Sequence, residues 1–144
     1  MTFKPKNETG YALLEILIAA LVISFGLLGL AGLQAIGLRN NHSAYLASVA
    51  TQLTYDMADR IRANKGFIYA SATAATHSGC LSGCTPQQIA EDDLLQWSQS
   101  VAAALPGGTT ASPAYSNGIY TLTVTWNDDR AGGATTSFQT TFQP

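Results

Sequence analysis

The stretch YALLEILIAALVISFGLLGLAGLQAIGL, residues 11–38, decides the fold of this 144-residue chain, and Glu15 is its only charged residue. A helix of about 20 apolar residues crosses the hydrocarbon core of a bilayer, so this segment is long enough to insert. The polar residues before it, MTFKPKNETG, include Lys4 and Lys6. Positive charge in a short leading tail favours a cytoplasmic N-terminus, with the rest of the chain on the other side.

Three interpretations of the apolar segment compete. A secretory signal peptide would be cut after a small-x-small site such as Gly29-Leu30-Ala31, but the apolar run continues past that point. A plain membrane anchor explains the length of the segment but leaves Glu15 unexplained. A carboxylate inside a membrane helix costs several kcal/mol and indicates a functional role by default. The third interpretation therefore gives Glu15 a partner.

Cleavage of the chain between Gly10 and Tyr11 would supply that partner. The new α-amino group would lie four residues before Glu15, which is about one helical turn. Amine and carboxylate could then meet within one chain or between neighbouring packed helices. Cleavage before the apolar run, rather than after it, also leaves the whole anchor in the mature protein.

The run GYALLE, from Gly10 to Glu15, resembles the type III signal of prepilins: glycine, an aromatic residue, mostly apolar residues, glutamate and then an apolar helix. The resemblance implies that a prepilin peptidase cuts after Gly10 and methylates the new N-terminus at Tyr11. It also implies that Glu15 registers an incoming subunit against its neighbour in a filament. Tyr11 stands where that family usually has Phe, and since the ring is retained we expect cleavage to persist.

A longer stretch, residues 27–64, resembles the PilV family of pilus-modification minor pilins through the motifs GLAGLQA, LRNN-SAY and ADRIRAN. This resemblance implies a minor pilin of a type IV pilus that supports assembly, adhesion and twitching motility. The implied partners are prepilin peptidase, other minor pilins, the major pilin, the assembly platform in the inner membrane and a tip adhesin. The alternative is a pseudopilin of a type II secretion system, which shares the leader and the fold.

The expected domain organisation follows from the same segment. Residues 1–10 are the leader peptide, residues 11–38 the apolar half of an N-terminal helix, and residues 39–144 a periplasmic head that includes the amphipathic half of that helix. The protein is expected in the inner membrane first and in a cell-surface filament afterwards. The fold class is pilin-like α+β, with a long N-terminal helix packed against a small antiparallel sheet and a short second helix.

Apolar periodicity predicts that the N-terminal helix continues without a break to about Asn64. Four- and seven-residue intervals are typical of one helix face, and they relate Leu38, Tyr45, Val49, Leu53, Met57 and Ile61. The second helix is predicted to start at Thr85 as N-cap, with Pro86 in the first turn and Gln88 completing a capping box. It is expected to end at Pro106-Gly107-Gly108.

The C-terminal part has the clearest strand signal in the chain. Apolar residues alternate with threonine from Tyr120 to Trp126, which is typical of a half-buried strand. Residues 127–133 form a predicted turn, and residues 136–143 are expected to pair back as an antiparallel strand. A third strand is placed near Tyr115 or Tyr69.

The chain has two cysteines, Cys80 and Cys84. In an oxidising compartment the pair forms one local disulfide, whereas in a cytosol it would favour redox or metal chemistry. The periplasmic location implied by the prepilin signal favours the disulfide. His77 nearby completes only three of the four ligands of a structural zinc site, and His42 is on the long helix, so no metal is expected.

Charge and motif content exclude several other functions. The net charge is −2 and the seven Lys and Arg are scattered, which gives no reason to expect nucleic acid as a partner. Asp92 and Asp93 are placed early in the second helix, where acids suit its dipole. Asp128 and Asp129 are ordinary turn residues, with a calcium site as the alternative. Without a nucleophile or phosphate-binding motif, no enzyme and no cofactor is expected; a membrane-tethered binding or enzymatic domain is the competing class.

Overall fold

The computed structural model describes residues 9–77, 83–128 and 134–144. Its helices are α1 (Thr9–Ala63), a one-turn 3-10 helix (Tyr69–Ser71) and α2 (Pro86–Ala104). Its strands are β1 (Thr109–Thr110), β2 (Ala114–Ser116), β3 (Ile119–Asp128) and β4 (Ala134–Phe142). The predicted α+β layout of a long N-terminal helix, a short second helix and a small antiparallel sheet is confirmed.

The chain divides into two compact units, Met1–Asn40 and Asn41–Pro144, here called the first and second unit. In the first unit, the large apolar side chains from Tyr11 to Leu38 are all exposed, with Tyr11 84 % exposed. This part of α1 is long and apolar enough to cross a membrane. Because exposed hydrocarbon is unfavourable in water, such a surface needs lipid or other protein around it.

The second unit has its own hydrophobic core. Helix α1 contributes Leu46, Ala50, Met57, Ala58 and Ile61; α2 contributes Ala90, Leu94, Trp97 and Val101; β3 contributes Tyr120, Leu122, Val124 and Trp126. Leu105, the C-cap of α2, and Tyr69 of the 3-10 helix are also buried in this core. The side chains therefore come from every layer of an α+β domain.

The buried face of α1 differs in part from the predicted stripe. Met57 and Ile61 are buried, and Val49 and Leu53 pack partly buried against the core, but Tyr45 is 63 % exposed. Leu38 falls in the first unit and is also exposed. A row of residues four apart drifts around a helix of 3.6 residues per turn. The buried row keeps to one face by mixing steps of three and four: Ser43, Leu46, Ala50, Thr54, Met57 and Ile61.

Helix α2 begins as its sequence predicts. The Thr85 hydroxyl accepts a hydrogen bond from the Gln88 backbone N–H at 3.3 Å, and the Gln88 side chain accepts one from the Thr85 N–H at 3.0 Å. This capping box satisfies two N–H groups that a helix start otherwise leaves without a partner. The helix ends at Ala104, and Gly107 then takes a φ of +60°, a left-handed conformation that suits glycine.

The sheet is antiparallel, with β3 in the middle. Strand β4 pairs with one side of β3 from Tyr120↔Phe142 to Asp128↔Ala134, while β1 and β2 pair with the other side. A two-residue turn joins β2 to β3, with positive φ at both Asn117 and Gly118. An Asn-Gly turn of this kind matches the twist of a hairpin, and the Asn-Gly pair is its sequence signal.

Several predicted boundaries change. The strand expected at residues 136–143 is Ala134–Phe142, and the predicted turn loses Asn127 and Asp128 to β3. The third strand is correctly placed at Tyr115 but not at Tyr69, which lies in the 3-10 helix closed by a Ser71 N–H to Ile68 carbonyl bond. Strand β1 was not predicted, because two residues give no alternation to detect.

Candidate functional site

The predicted cleavage and assembly residues lie at the start of α1. The helix begins at Thr9, two residues before Tyr11, so the Gly10–Tyr11 bond already lies in the helix. One face of the helix lines a shallow hollow formed by Tyr11, Leu14, Glu15, Ile18 and Ala19. The structure thus brings the side chains of Tyr11 and Glu15 to the same face, one turn apart.

Glu15 is isolated on this face. It is exposed and, among the described residues, makes no hydrogen bond or ion pair. Its neighbours along the hollow are Tyr11 and the apolar side chains of Leu14, Ile18 and Ala19. A carboxylate on such a surface can accept a hydrogen bond from, or pair with, a cationic group brought by another molecule.

In the second unit, a polar cluster around Arg60 and Asp93 connects the end of α1 to α2. The Arg60 guanidinium donates from Nε to Asp56 at 3.0 Å and from Nη1 to Asp93 at 3.1 Å and Gln96 at 3.0 Å. The Tyr69 hydroxyl donates to the other Asp93 oxygen at 2.7 Å. Burial, together with the hydrogen bond to Asp93, raises the pKa of Tyr69 far above its ordinary value.

Asp93 is therefore a structural residue whose role the sequence did not indicate. Asp92 and Asp93 lie beyond the first turn of α2, which contains no acidic residue, so the helix dipole does not explain Asp93. Asp92 accepts a hydrogen bond from Gln96 at 2.6 Å. Asp92 is thus bonded within α2, whereas Asp93 joins α2 to α1, and both carboxylates have partners within the fold.

Residues 72–77, which follow the 3-10 helix, are held to Glu91. His77 Nε2 lies 2.6 Å from a Glu91 carboxylate oxygen, and the Ala75 N–H donates to the Glu91 carbonyl at 3.1 Å. The Gln87 side chain donates to the other carboxylate oxygen at 2.8 Å. The hydrogen bond from Gln87, followed by that with His77, lowers the pKa of Glu91, because both favour the ionised carboxylate.

The predicted disulfide involves a residue outside the described ones. Cys80 is not described, so the pairing of Cys80 with Cys84 stays a prediction; Cys84 itself is not a free thiol. His77 contacts the Glu91 carboxylate. Across residues 9–77, 83–128 and 134–144, no group of three His, Cys, Asp or Glu could hold a metal ion.

Asp128 is buried, which the turn interpretation did not predict. It is 2 % exposed and accepts a hydrogen bond from the hydroxyl of Ser43, which is also buried. The alternation of β3 explains this position, because Asp128 continues the inward series that ends with Trp126. The explanation as a solvated turn is wrong for Asp128, and Asp129 lies outside the described residues.

Comparisons with protein-family models, with curated proteins and with solved structures find no match to this chain. The feature that most constrains the function is the exposed apolar part of α1, which carries one carboxylate, Glu15, near its start.

Proposed function

We propose that this protein is a minor pilin of a type IV pilus, with a pseudopilin of a type II secretion system as the alternative. One observation carries the proposal: Glu15 is the only charge on an exposed apolar helix surface, one turn after the Gly10–Tyr11 bond. The helix requires an apolar environment, and the carboxylate requires a cation within that environment. A neighbouring subunit in a filament core would supply both.

The mechanism starts with insertion of residues 11–38 into the inner membrane. Prepilin peptidase removes residues 1–10 and methylates the amine of Tyr11; since methylation of an amine keeps its charge, the mature N-terminus remains cationic. Glu15 of one subunit then pairs with the N-terminal amine of a neighbour. In a medium of low dielectric, an unpaired carboxylate is costly and a paired one much less so, which favours a single axial register between subunits.

The second unit would be presented outside the membrane and then on the filament surface. Its polar clusters at Asp93, Glu91 and Asp128 hold helices, connecting segments and strands together. These contacts give the three carboxylates structural roles within the fold. Prepilin peptidase, the major pilin, other minor pilins, the assembly platform and a tip adhesin are the proposed partners.

The first experiment is the mass and N-terminal sequence of the mature protein from cells with and without prepilin peptidase. We expect a chain that begins at Tyr11, carries one extra methyl group and appears only with the peptidase. A chain that begins after Ala31, or an uncut chain in both strains, would contradict the proposal. If the cut occurs, loss of piliation or loss of secretion in a deletion strain decides between pilus and secretion pseudopilus.

A Glu15→Gln variant separates cleavage from assembly. The amide is nearly isosteric and does not remove Gly10 or Tyr11, so we expect cleavage to continue. Without the carboxylate charge, the variant should accumulate in the membrane and be depleted from sheared filaments. Equal incorporation of the variant and the wild-type chain would contradict the role given to Glu15.

A further inference from the structure

The two edges of the sheet are built differently. One edge is divided into β1, with two residues, and β2, with three, and Pro113 lies between them. The other edge is β4, with nine residues, ATTSFQTTF, in unbroken register with β3. Exposed edges are normally protected by short strands, charges, proline or bulges. The first edge has such protection, and β4 has none of these features.

The outer edge of β4 is also unpaired within the described structure. Among residues 9–77, 83–128 and 134–144, the backbone of β4 hydrogen-bonds only in its ladder with β3. A strand in the middle of a sheet uses both of its edges. Strand β4 therefore presents a row of N–H and C=O groups to which another extended strand can bind.

The side chains of β4 indicate which kind of strand could pair with its outer edge. On the solvent face of the sheet, β3 and β4 carry one apolar residue, Ile119 at the start of β3. All the others are uncharged polar residues: Thr121, Thr123, Thr125, Asn127, Thr135, Ser137, Gln139 and Thr141. Hydrogen bonds cross the strands on this face: the Thr109 and Thr125 hydroxyls are 2.6 Å apart, and the Gln139 amide donates to the Thr123 hydroxyl at 3.2 Å. The rows of polar side chains that cross the sheet end at β4. A partner strand with neutral, hydroxyl-bearing side chains would extend them.

The opposite face of β4 has a matching feature. Phe138 and Phe142 pack against the core but remain only partly buried. A partner strand with an aromatic residue at the corresponding position would cover more of the exposed ring surface. The partner strand should therefore be neutral, with small polar residues on one face and an aromatic residue on the other.

We propose that the partner is β4 of a second copy of this chain, paired antiparallel about Phe138. In that register Phe138 faces its own copy, Ser137 lies opposite Gln139, and Thr135 lies opposite Thr141. Each residue stays on its own face of the sheet, because antiparallel partners share a face. With no charge in β4, self-pairing brings no like charges together. The inference rests on the sheet and does not depend on the proposed function.

Such a contact is expected to be weak in dilute solution. An edge-to-edge contact buries little surface, and stable dimers usually bury more than about 1,200 Å². Confinement in a membrane raises the effective concentration of two chains, and the first unit has a helix that could cross one. The experiment should therefore use the full-length chain in membrane vesicles.

Cysteine cross-linking tests the register. A Ser137→Cys chain and a Gln139→Cys chain, carrying different tags, are placed in the same vesicles and oxidised mildly. We expect the mixture to give a mixed-tag dimer, and each variant alone to give little dimer, because position 137 faces position 139 and not itself. Thr121→Cys with Thr123→Cys, on the same face of the central strand, is the matched control. Mixed dimer no higher than in this control would overturn the proposal.

Charge exchange tests the same pairing without a disulfide. Both cysteine chains also receive the substitutions Thr135→Lys and Thr141→Lys. In the proposed register, these substitutions place lysines opposite each other at both ends of the paired strands. Cross-linking should fall about fivefold, and replacing Thr141→Lys by Thr141→Glu should restore it. Unchanged cross-linking in the double-lysine chain would overturn the proposal, as would failure of the lysine–glutamate chain to recover. Unfolding curves of each variant verify that the second unit remains folded.

Discussion

The two halves of α1 differ in what surrounds their side chains. Up to Asn40 the helix has apolar side chains on every side, and they are exposed. From Asn41 onward the same helix has one face that is buried by α2 and the sheet and another that is solvent-exposed and polar. The second half is stabilised by its own domain, whereas the first half depends on what surrounds it.

This difference separates two kinds of hydrophobic residue. In the second unit a leucine stabilises the fold of its own chain, and the cost of removing it appears in unfolding of that chain. In the first unit a leucine contributes to membrane binding or to contact with other chains, because the chain itself does not bury it. Substitutions of the same residue type in the two halves should therefore have different readouts.

The largest contrast is expected between Leu46→Ala and Leu33→Ala. Leu46 is 3 % exposed and Leu33 is 69 % exposed on the same helix. Loss of a buried leucine leaves a cavity, so Leu46→Ala should lower the free energy of unfolding by about 3 kcal/mol, and Leu33→Ala by less than about 0.5 kcal/mol. Urea unfolding of the full chain in detergent, followed by the fluorescence of Trp97 and Trp126, measures both. Equal losses would contradict the division into two units.

A smaller contrast is expected between two ion pairs of α1. Asp93 is mostly buried and binds both Arg60 and Tyr69, whereas Asp59 is exposed and binds Arg62 at 2.7 Å. Asp93→Asn should cost about 1–2 kcal/mol, because it weakens two hydrogen bonds in a partly buried cluster. Asp59→Asn should cost less than about 0.5 kcal/mol, as is usual for exposed pairs. The same unfolding assay compares the two, and a larger effect at Asp59 would contradict the assignment.

Local chemistry in the sequence predicted the parts of the fold that depend on neighbouring residues. The start of α2 followed from Thr85, Pro86 and Gln88, and the position of β3 from its alternation between Tyr120 and Trp126. The one-turn spacing of Tyr11 and Glu15 needed only the helix period. Each of these signals lies within a few residues and requires no tertiary contact.

The wrong and missing predictions have two causes. Either a tertiary contact determines the position of a residue, or a local sequence pattern is extended over too many or too few residues. The prediction for Tyr45 is wrong because a four-residue step, repeated over several turns, drifts off the buried face. The prediction of a turn at Asp128 rests on its residue type, although the alternation of β3 continues through it. The Asp93 cluster joins residues 33 positions apart, and no spacing rule predicts such a pairing from a single sequence.

The smallest predicted effect is a change in the pH dependence of the second unit. Because the pKa of Glu91 is lowered from its ordinary value of 4.5 in the folded chain, its stabilising contribution is present above that value. The contribution is lost as pH falls through the lowered pKa. Glu91→Gln should therefore reduce stability near neutral pH and make the unfolding midpoint less sensitive to pH below 4.5. Leu33→Ala should retain the wild-type pH profile; an unchanged profile for Glu91→Gln would show that its contacts with Gln87 and His77 do not stabilise the fold.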